Sequence, residues 1–535
     1  SGLTPDHLVQ QYDNPFHFSV VRHILDTGNA SPIGAGSVMG SATAVYPDVW
    51  HSLAALLVSL FGLDIQTAGW IVVLAFVGFI APVGFHDLYL RLERNPSRCG
   101  EMLSVVLPVA LPLSALEFSY WGSLYANVLG LCVLPAASVM VLDAFDRDAS
   151  ISIPMRIFGV LIAFAVVGLC HPNTVFVLGI FCLLYLVRLL PSVGVKLIAF
   201  IAALALWIVC CFLPMFSRTI NCADRIGAGV DKGTALFSKL HLDYSFLVSN
   251  EWILWAVLAI WLVCVVAAGF RSKLELQTLP YLLGIFLLAA LSFVALFPQT
   301  LLAKYAVGFW YRDFKRLLVT TLFMGSLLIP IIVDAACAFI SGHFRHSDFV
   351  LRPLYIGAAA VVTLAFAAVG FHYYSSRLSP TGDCVNGVGY AQLADGDRAF
   401  FSKLSKVVGD KAVLNSYNDS SVWLYSLYHV NALIKGRPAN QISSMSNDLY
   451  EAVSDVSLAG SNSVRGAKVR ASLRRLNVEY VLQYESQQNS TTKFKPNGQI
   501  DYQLAGKNSV VSDDTPGFEK VLTDGRYTLY KLHES

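Results

Sequence analysis

The sequence predicts a polytopic α-helical membrane protein with a C-terminal α/β domain. Three observations carry that expectation. The 535-residue chain is 55% hydrophobic and only 14% charged, against roughly 25% charged residues in average soluble domains. Residues 50–374 hold repeated apolar runs of about 18–25 residues, each long enough to cross a hydrocarbon core about 30 Å thick. Residues 375–535 are polar, mixed in charge and long enough to bury a core of their own. A net charge of +2, with no basic motif, gives no reason to expect nucleic acid as a partner; the lipid bilayer is the expected one.

The chain opens directly in polar sequence, Ser1-Gly2-Leu3-Thr4-Pro5-Asp6, and an upstream transmembrane helix is expected to precede it. Residues 14–27 read as a helix. Asn14 suits the cap, Pro15 the first helical position and Gly28 the end. After a Gly/Ser/Ala loop, the stretch from Trp50 to Leu63 is too short for a full span and reads as an interfacial or re-entrant helix. Ten spans are expected, at 67–90, 102–121, 123–143, 154–170, 173–190, 195–216, 250–269, 278–297, 316–341 and 353–374. The domains are therefore 1–48, a first extracytoplasmic loop with a juxtamembrane helix; 49–374, the transmembrane domain; and 375–535, a soluble domain.

Positive charge sets the orientation. With residues 1–48 outside the cytoplasm, the cytoplasmic loops hold Arg91, Arg94 and Arg98; Arg147 and Arg156; Arg188 and Lys196; Arg271 and Lys273; and Arg345 and Arg352. The short outer loops at Trp121-Gly122 and His171-Pro172-Asn173 carry no Lys or Arg. The C-terminal domain then also lies outside, at the plasma (inner) membrane. Two outer segments break the pattern: 217–249, with Arg218, Arg225, Lys232 and Lys239, which as a long loop tolerates translocated charge, and the shorter 298–316, with Lys304, Arg312, Lys315 and Arg316. Cations there need a reason, and an anionic ligand is one. The charged loop 217–249, with Gly227, Gly229 and Gly233, is a candidate mobile rim.

In the C-terminal domain, 411–415, 429–434 and 478–484 read as strands and 446–458 and 464–475 as helices. Phe518–Leu522 and Tyr527–Leu532 flank the hairpin signal Asp524-Gly525. Cys222 and Cys384 fall in outer regions, and sequence does not show whether they pair. No Cys/His spacing resembles a zinc site, and no metal ligands are assigned.

Several residues suit chemistry. Asp13 stands at the start of the first helix with His17 four residues on. A partly desolvated Asp13 would work as a general base; spacing alone favours a helix cap. His171 and Asn173 sit at an outer helix break, where buried polar side chains are expensive unless they face a cavity. His51 and Trp50 could line the same cavity, and Glu117 is a second acidic candidate. Trp310, Tyr311 and Asp313 flank the cationic cluster. Arg312 and Arg316, four apart, share a helical face if that helix starts early, and with Lys315 they suit phosphate oxygens.

Four motifs carry a family resemblance: Tyr12-Asp13-Asn14-Pro15-Phe16-His17-Phe18, Tyr46-Pro47-Asp48-Val49-Trp50-His51, Trp310-Tyr311-Arg312-Asp313-Phe314-Lys315-Arg316, and the run Val413 to Tyr425. In this order and layout the chain resembles membrane glycosyltransferases of the GT-C superfamily, and is similar to an uncharacterised multispanning family common in actinobacteria. The resemblance covers nearly the whole chain. It implies a GT-C-like fold with catalysis on the outer face, a polyprenyl-phosphate sugar donor, and a cell-envelope glycan or exported glycoconjugate as acceptor. It implies that Asp13 is the catalytic base or orients the acceptor. Some superfamily members use a divalent metal (Mg or Mn) there; this motif has one acid where some members have two adjacent, which makes a metal the less expected arrangement. Two other classes stay open: a transporter or flippase of lipid-linked glycans, and a non-catalytic protein of envelope assembly. The absence of a clear internal repeat, and the gathering of polar candidates on one side, favour surface chemistry over alternating access.

Overall fold

The structure, a computed structural model, describes residues 8, 10, 13–38, 45–93, 96–111, 114–146, 152–214, 216–217, 219–221, 278–334, 368, 393–416, 419–436, 447–484, 493–494, 500–501 and 510–533. They group into two compact units. One lies within 72–382; the other combines 4–71 with 383–535.

Among the described residues seven helices are long and apolar enough to cross a membrane: Ile65–Leu92, Tyr125–Phe145, Ile153–Cys170, Pro172–Leu189, Val193–Phe212, Thr278–Ala295 and Phe314–Asp334. They match seven of the expected spans to within a few residues, and the eighth, 102–121, is corrected. It divides into a helix Arg98–Ala110 and a separate short helix Glu117–Trp121. Leu111 precedes a proline, which disfavours the α conformation, and it is extended (φ −70°, ψ 138°). The expected spans 250–269 and 353–374, Cys222, Cys384 and nearly all of the loop 217–249 lie outside the described residues.

Within the first unit the helices differ in what surrounds them. The helix Phe314–Asp334 is 83% buried across its apolar window, while Val193–Phe212 is 6% buried. Val193–Phe212 shows Val193, Leu197, Ile198, Leu204 and Phe212 to the exterior, a face that suits hydrocarbon rather than water. Close approach is set at Gly284, where an added Cβ would overlap the Phe181 ring; that ring stacks on Tyr281 at 5.2 Å.

In the second unit a four-stranded sheet has the order β1-β2-β6-β5, formed by β1 (Ala412–Leu414), β2 (Val478–Tyr484), β5 (Phe518–Thr523) and β6 (Tyr527–Leu532). The short pair β3 (Lys493–Phe494) and β4 (Ile500–Asp501) stands apart. β1 and β2 run parallel and the other pairs antiparallel. Asp524 closes the β5–β6 turn by accepting from the Arg526 and Tyr527 amides, with Gly525 at φ 89°. Helices Asn447–Asp455 and Val464–Arg475 cover the sheet through Ala452, Val469 and Leu473. The expected strand at 429–434 reduces to one bridge, Val413 to Ala432. Asn415 takes up the local backbone there: its amide donates to the Ser421 and Ile434 carbonyls and accepts from the Ile434 amide.

The N-terminal helix Asn14–Thr27 belongs to this same unit. Phe18 meets Trp423 edge-on at 5.6 Å, Arg22 donates to the Ser426 carbonyl and Asp26 accepts from Tyr425 Oη at 2.9 Å.

Gly284→Val is expected to lower stability by about 1–3 kcal/mol through overpacking, read as a lower melting temperature of the detergent-purified protein.

Candidate active site

In the second unit a polar constellation joins the starts of two helices. The helix Asn14–Thr27 has Asp13 at its N-cap position, one residue earlier than the expected cap, with no capping bond from the side chain. Asp13 is half-buried, and its carbonyl accepts from the His17 amide at 3.0 Å. A second helix, Val49–Phe61, starts after Asp48. The two helices meet through imidazoles: His17 Nδ1 lies 2.9 Å from His51 Nε2, and both rings are fully buried. One ring must donate and the other accept, so both cannot be imidazolium. Burial, and secondarily His17, hold His51 well below the ordinary imidazole range.

Aromatic side chains close around this pair. Tyr46 lies 5.9 Å from His17 and 5.8 Å from His51. Trp50 stands edge-on to His51 at 5.1 Å and donates from Nε1 to the Gly69 carbonyl at 3.2 Å. A Cβ at Gly69 would strike the Trp50 ring.

Asp48 belongs to this constellation, and sequence reasoning passed over it. It is 5% exposed, and its Oδ2 has no hydrogen-bond partner among the described residues. Burial pushes its carboxyl up from 3.8 to about 6. The available signal was its place in the same motif as His51, one helical turn ahead.

The first unit holds the other constellation. Cys170 ends one helix and Pro172 starts the next, with His171 extended between them. His171 Nδ1 lies 2.7 Å from Asn173 Oδ1, and Asn173 Nδ2 donates to Asn127 Oδ1 at 3.3 Å. Arg316 Nη1 donates to the same oxygen at 3.1 Å. Arg316 also lies over the Tyr311 ring at 4.6 Å, and its Nε is 3.4 Å from Asp313 Oδ2. Asp313 caps the helix by accepting from the Lys315 amide.

Arg312 behaves differently from Arg316. The helix begins at Phe314, after two left-handed residues, Tyr311 (φ 60°) and Arg312 (φ 55°). The two arginines therefore do not share a helical face. The Arg312 guanidinium is buried and donates to the Pro298 and Ile220 carbonyls at 3.1 and 3.0 Å. Trp310 is buried among Phe176, Trp207 and Phe309. Glu117 is buried in the first turn of its short helix. Tyr12 lies outside the described residues.

His17, His51, Trp50 and Asp13 thus gather in one unit; His171, Asn173, Asp313, Tyr311 and Arg316 gather in the other. Among the described residues no three His, Cys, Asp or Glu side chains form a metal-ligand group, so no ligands are assigned to a divalent ion.

The model of a family of unknown function, DUF6541, matches residues 3–534. The chain belongs to the DUF6541 family. No curated protein sequence matches this DUF6541 chain. Among solved structures it is similar to the archaeal oligosaccharyltransferase AglB from Archaeoglobus fulgidus in complex with an inhibitory peptide and a dolichol-phosphate. That likeness has 11% identity and TM-score 0.53, and covers 91% of this chain and 67% of that one. The same enzyme tethered to an acceptor peptide gives 10% identity and TM-score 0.52, over 95% and 71%. ArnT from Cupriavidus metallidurans gives 12% identity and TM-score 0.49, over 99% and 95%. The AglB likeness and the seven apolar helices give this DUF6541 member a polytopic helical membrane fold similar to that of AglB.

The raised Asp48 carboxyl makes a stability prediction. Its ionised form is disfavoured in the fold, so the penalty is absent below 3.8, grows as pH rises and is full above about 6. Asp48→Asn is expected to melt higher than wild type at pH 8, with the difference shrinking towards pH 4, in thermal scans of detergent-solubilised protein.

Proposed function

We propose that this protein is a GT-C-type glycosyltransferase. It takes a sugar from a polyprenyl-phosphate donor and passes it to a cell-envelope glycan or exported glycoconjugate at the outer face of the plasma membrane. The observation that carries this reading is Arg316, a cation held by Asn127 inside an apolar bundle. It is supported by the chain's similarity in fold to an oligosaccharyltransferase in complex with an inhibitory peptide and a dolichol-phosphate.

The chemistry follows from the residues. The acceptor hydroxyl attacks the anomeric carbon of the donor sugar while its proton passes to the Asp13 carboxylate. The bond between the anomeric carbon and the phosphate oxygen breaks, and its electron pair leaves on the phosphate. Arg316 and Lys315 stabilise the developing phosphate charge, which fixed cations do best in a site of low dielectric. Arg312, committed to two carbonyls, shapes the loop that presents them. Asp48 and the His17–His51 pair supply further proton-accepting groups in the unit that carries Asp13. A buried carboxylate with a raised pKa is a common mark of acid–base sites.

Asp13→Asn is expected to abolish transfer from radiolabelled polyprenyl-phosphate sugars with the melting temperature unchanged. Full activity in that variant would remove Asp13 from the role of base. Movement of lipid-linked glycan across vesicles, with no transfer from any donor, would instead identify a flippase.

A further inference from the structure

The inference deepens the reading above and rests on it. A guanidinium has N–H donors and no acceptor, so each partner of Arg316 must accept. That makes its surroundings directional. Arg316 Nη1 donates to Asn127 Oδ1 at 3.1 Å, which turns the Asn127 amide nitrogen towards Asn173. Asn173 Nδ2 donates to the same Asn127 oxygen at 3.3 Å, and Asn127 Nδ2 faces Asn173 Oδ1 at 3.5 Å. His171 Nδ1 accepts from the Asn173 backbone amide at 3.3 Å and lies 2.7 Å from the Asn173 side-chain oxygen. The direction is defined between Arg316, Asn127 and Asn173: Arg316 and Asn173 both donate to the Asn127 oxygen, and Asn127 donates back to Asn173 Oδ1.

The other sides of Arg316 are held more loosely. Tyr311 lies under the guanidinium at 4.6 Å. Asp313 is 3.4 Å from Nε, longer than the 2.7–2.9 Å of a tight charge-assisted bond. Among the described residues Nη2 has no hydrogen-bond partner.

Asn127 and Asn173 are 1% and 2% exposed. Buried amides in a membrane-crossing bundle are costly unless hydrogen-bonded, and leucine would fill the same space. An amide supplies what leucine cannot, an acceptor for the guanidinium. It also supplies what aspartate cannot, an acceptor that leaves the positive charge intact.

We propose that Asn127 is a positioning residue: it fixes Arg316 through a neutral oxygen, so that the guanidinium keeps its charge and its Nη2 edge for a lipid-borne phosphate, and Asn173 locks the orientation of the Asn127 amide. The phosphate is that of the polyprenyl donor.

The test is binding of undecaprenyl phosphate to the full chain in phosphatidylcholine nanodiscs, with phosphatidic acid as a second phosphate-bearing lipid and melting temperatures recorded alongside. Asn127→Leu is expected to weaken undecaprenyl phosphate binding about tenfold, the scale of one charge-assisted hydrogen bond. Asn127→Asp is expected to weaken it at least as far although it keeps the acceptor, because the carboxylate neutralises Arg316. A merely structural role gives the opposite order, with Asp better tolerated than Leu. Asn173→Leu is expected to produce a smaller loss, and decides with Asn127→Asp if Asn127→Leu does not fold. Wild-type affinity in both Asn127→Asp and Asn173→Leu overturns the proposal. An equal loss for phosphatidic acid overturns the donor as the source of the phosphate. If wild type binds undecaprenyl phosphate and the variants lose it, yet no sugar is transferred from any donor, the positioning role stands and the glycosyltransferase reading falls.

Discussion

A cation inside an apolar helix bundle has to be hydrogen-bonded on terms that do not cancel its purpose. The first unit meets that constraint in two ways. Arg312 is tied to two backbone carbonyls, and its guanidinium fixes a loop whose backbone is left-handed at two successive residues. Such conformations cost of order 1–3 kcal/mol each and persist only where the surroundings enforce them. Arg316 instead meets a neutral amide, an aromatic face and a distant carboxylate. Four residues apart in sequence, one arginine donates to backbone carbonyls and the other to a side-chain amide.

The second unit solves a different problem. His17, His51 and Asp48 are placed by two helix starts rather than by the sheet. The contact of two buried imidazoles at 2.9 Å joins those starts. The aromatic rings of Tyr46 and Trp50 keep the pair dry, and dryness raises the Asp48 carboxyl and lowers His51. Burial therefore pushes an acid and a base towards each other on the pH scale within one helical turn. Asp13, at the other helix start, is only half-buried and open to a different environment.

Much of the fold was legible because hydrocarbon leaves a simple mark: apolar runs of membrane length. The exception at 102–121 arose because hydropathy sums side chains and ignores the backbone demand of Leu111 before a proline. The hairpin at Asp524-Gly525 was legible for the converse reason, since its turn chemistry is local. The strand expected at 429–434 was not, because Asn415 satisfies that backbone across nineteen residues. At the candidate site, sequence singled out the helix start with Asp13 and His17 and the cationic cluster, and put Arg312 and Arg316 on one face only if their helix began early. The helix start at Phe314 depends on the Asp313 cap, which spacing alone did not select. Asn127 was invisible: a lone asparagine early in an apolar span has no local signature, and its meaning comes from Arg316, 189 residues away.

The helix Val193–Phe212 has its 20 residues almost wholly in contact with what surrounds the protein. At 1.5 Å per residue it is about 30 Å long, close to the thickness of a hydrocarbon core. Its packing is concentrated at Trp207, Cys211 and Phe212, which meet Phe176, Phe309, Trp310 and Tyr305. In a thinner bilayer this helix tilts at small cost, while Phe314–Asp334, enclosed by the bundle, keeps its setting. Trp207 on the tilting helix donates to the Tyr305 carbonyl, a few residues before the loop that carries Trp310 and Arg312. The most lipid-exposed helix is thereby tied by a hydrogen bond to the segment that leads into the cationic cluster.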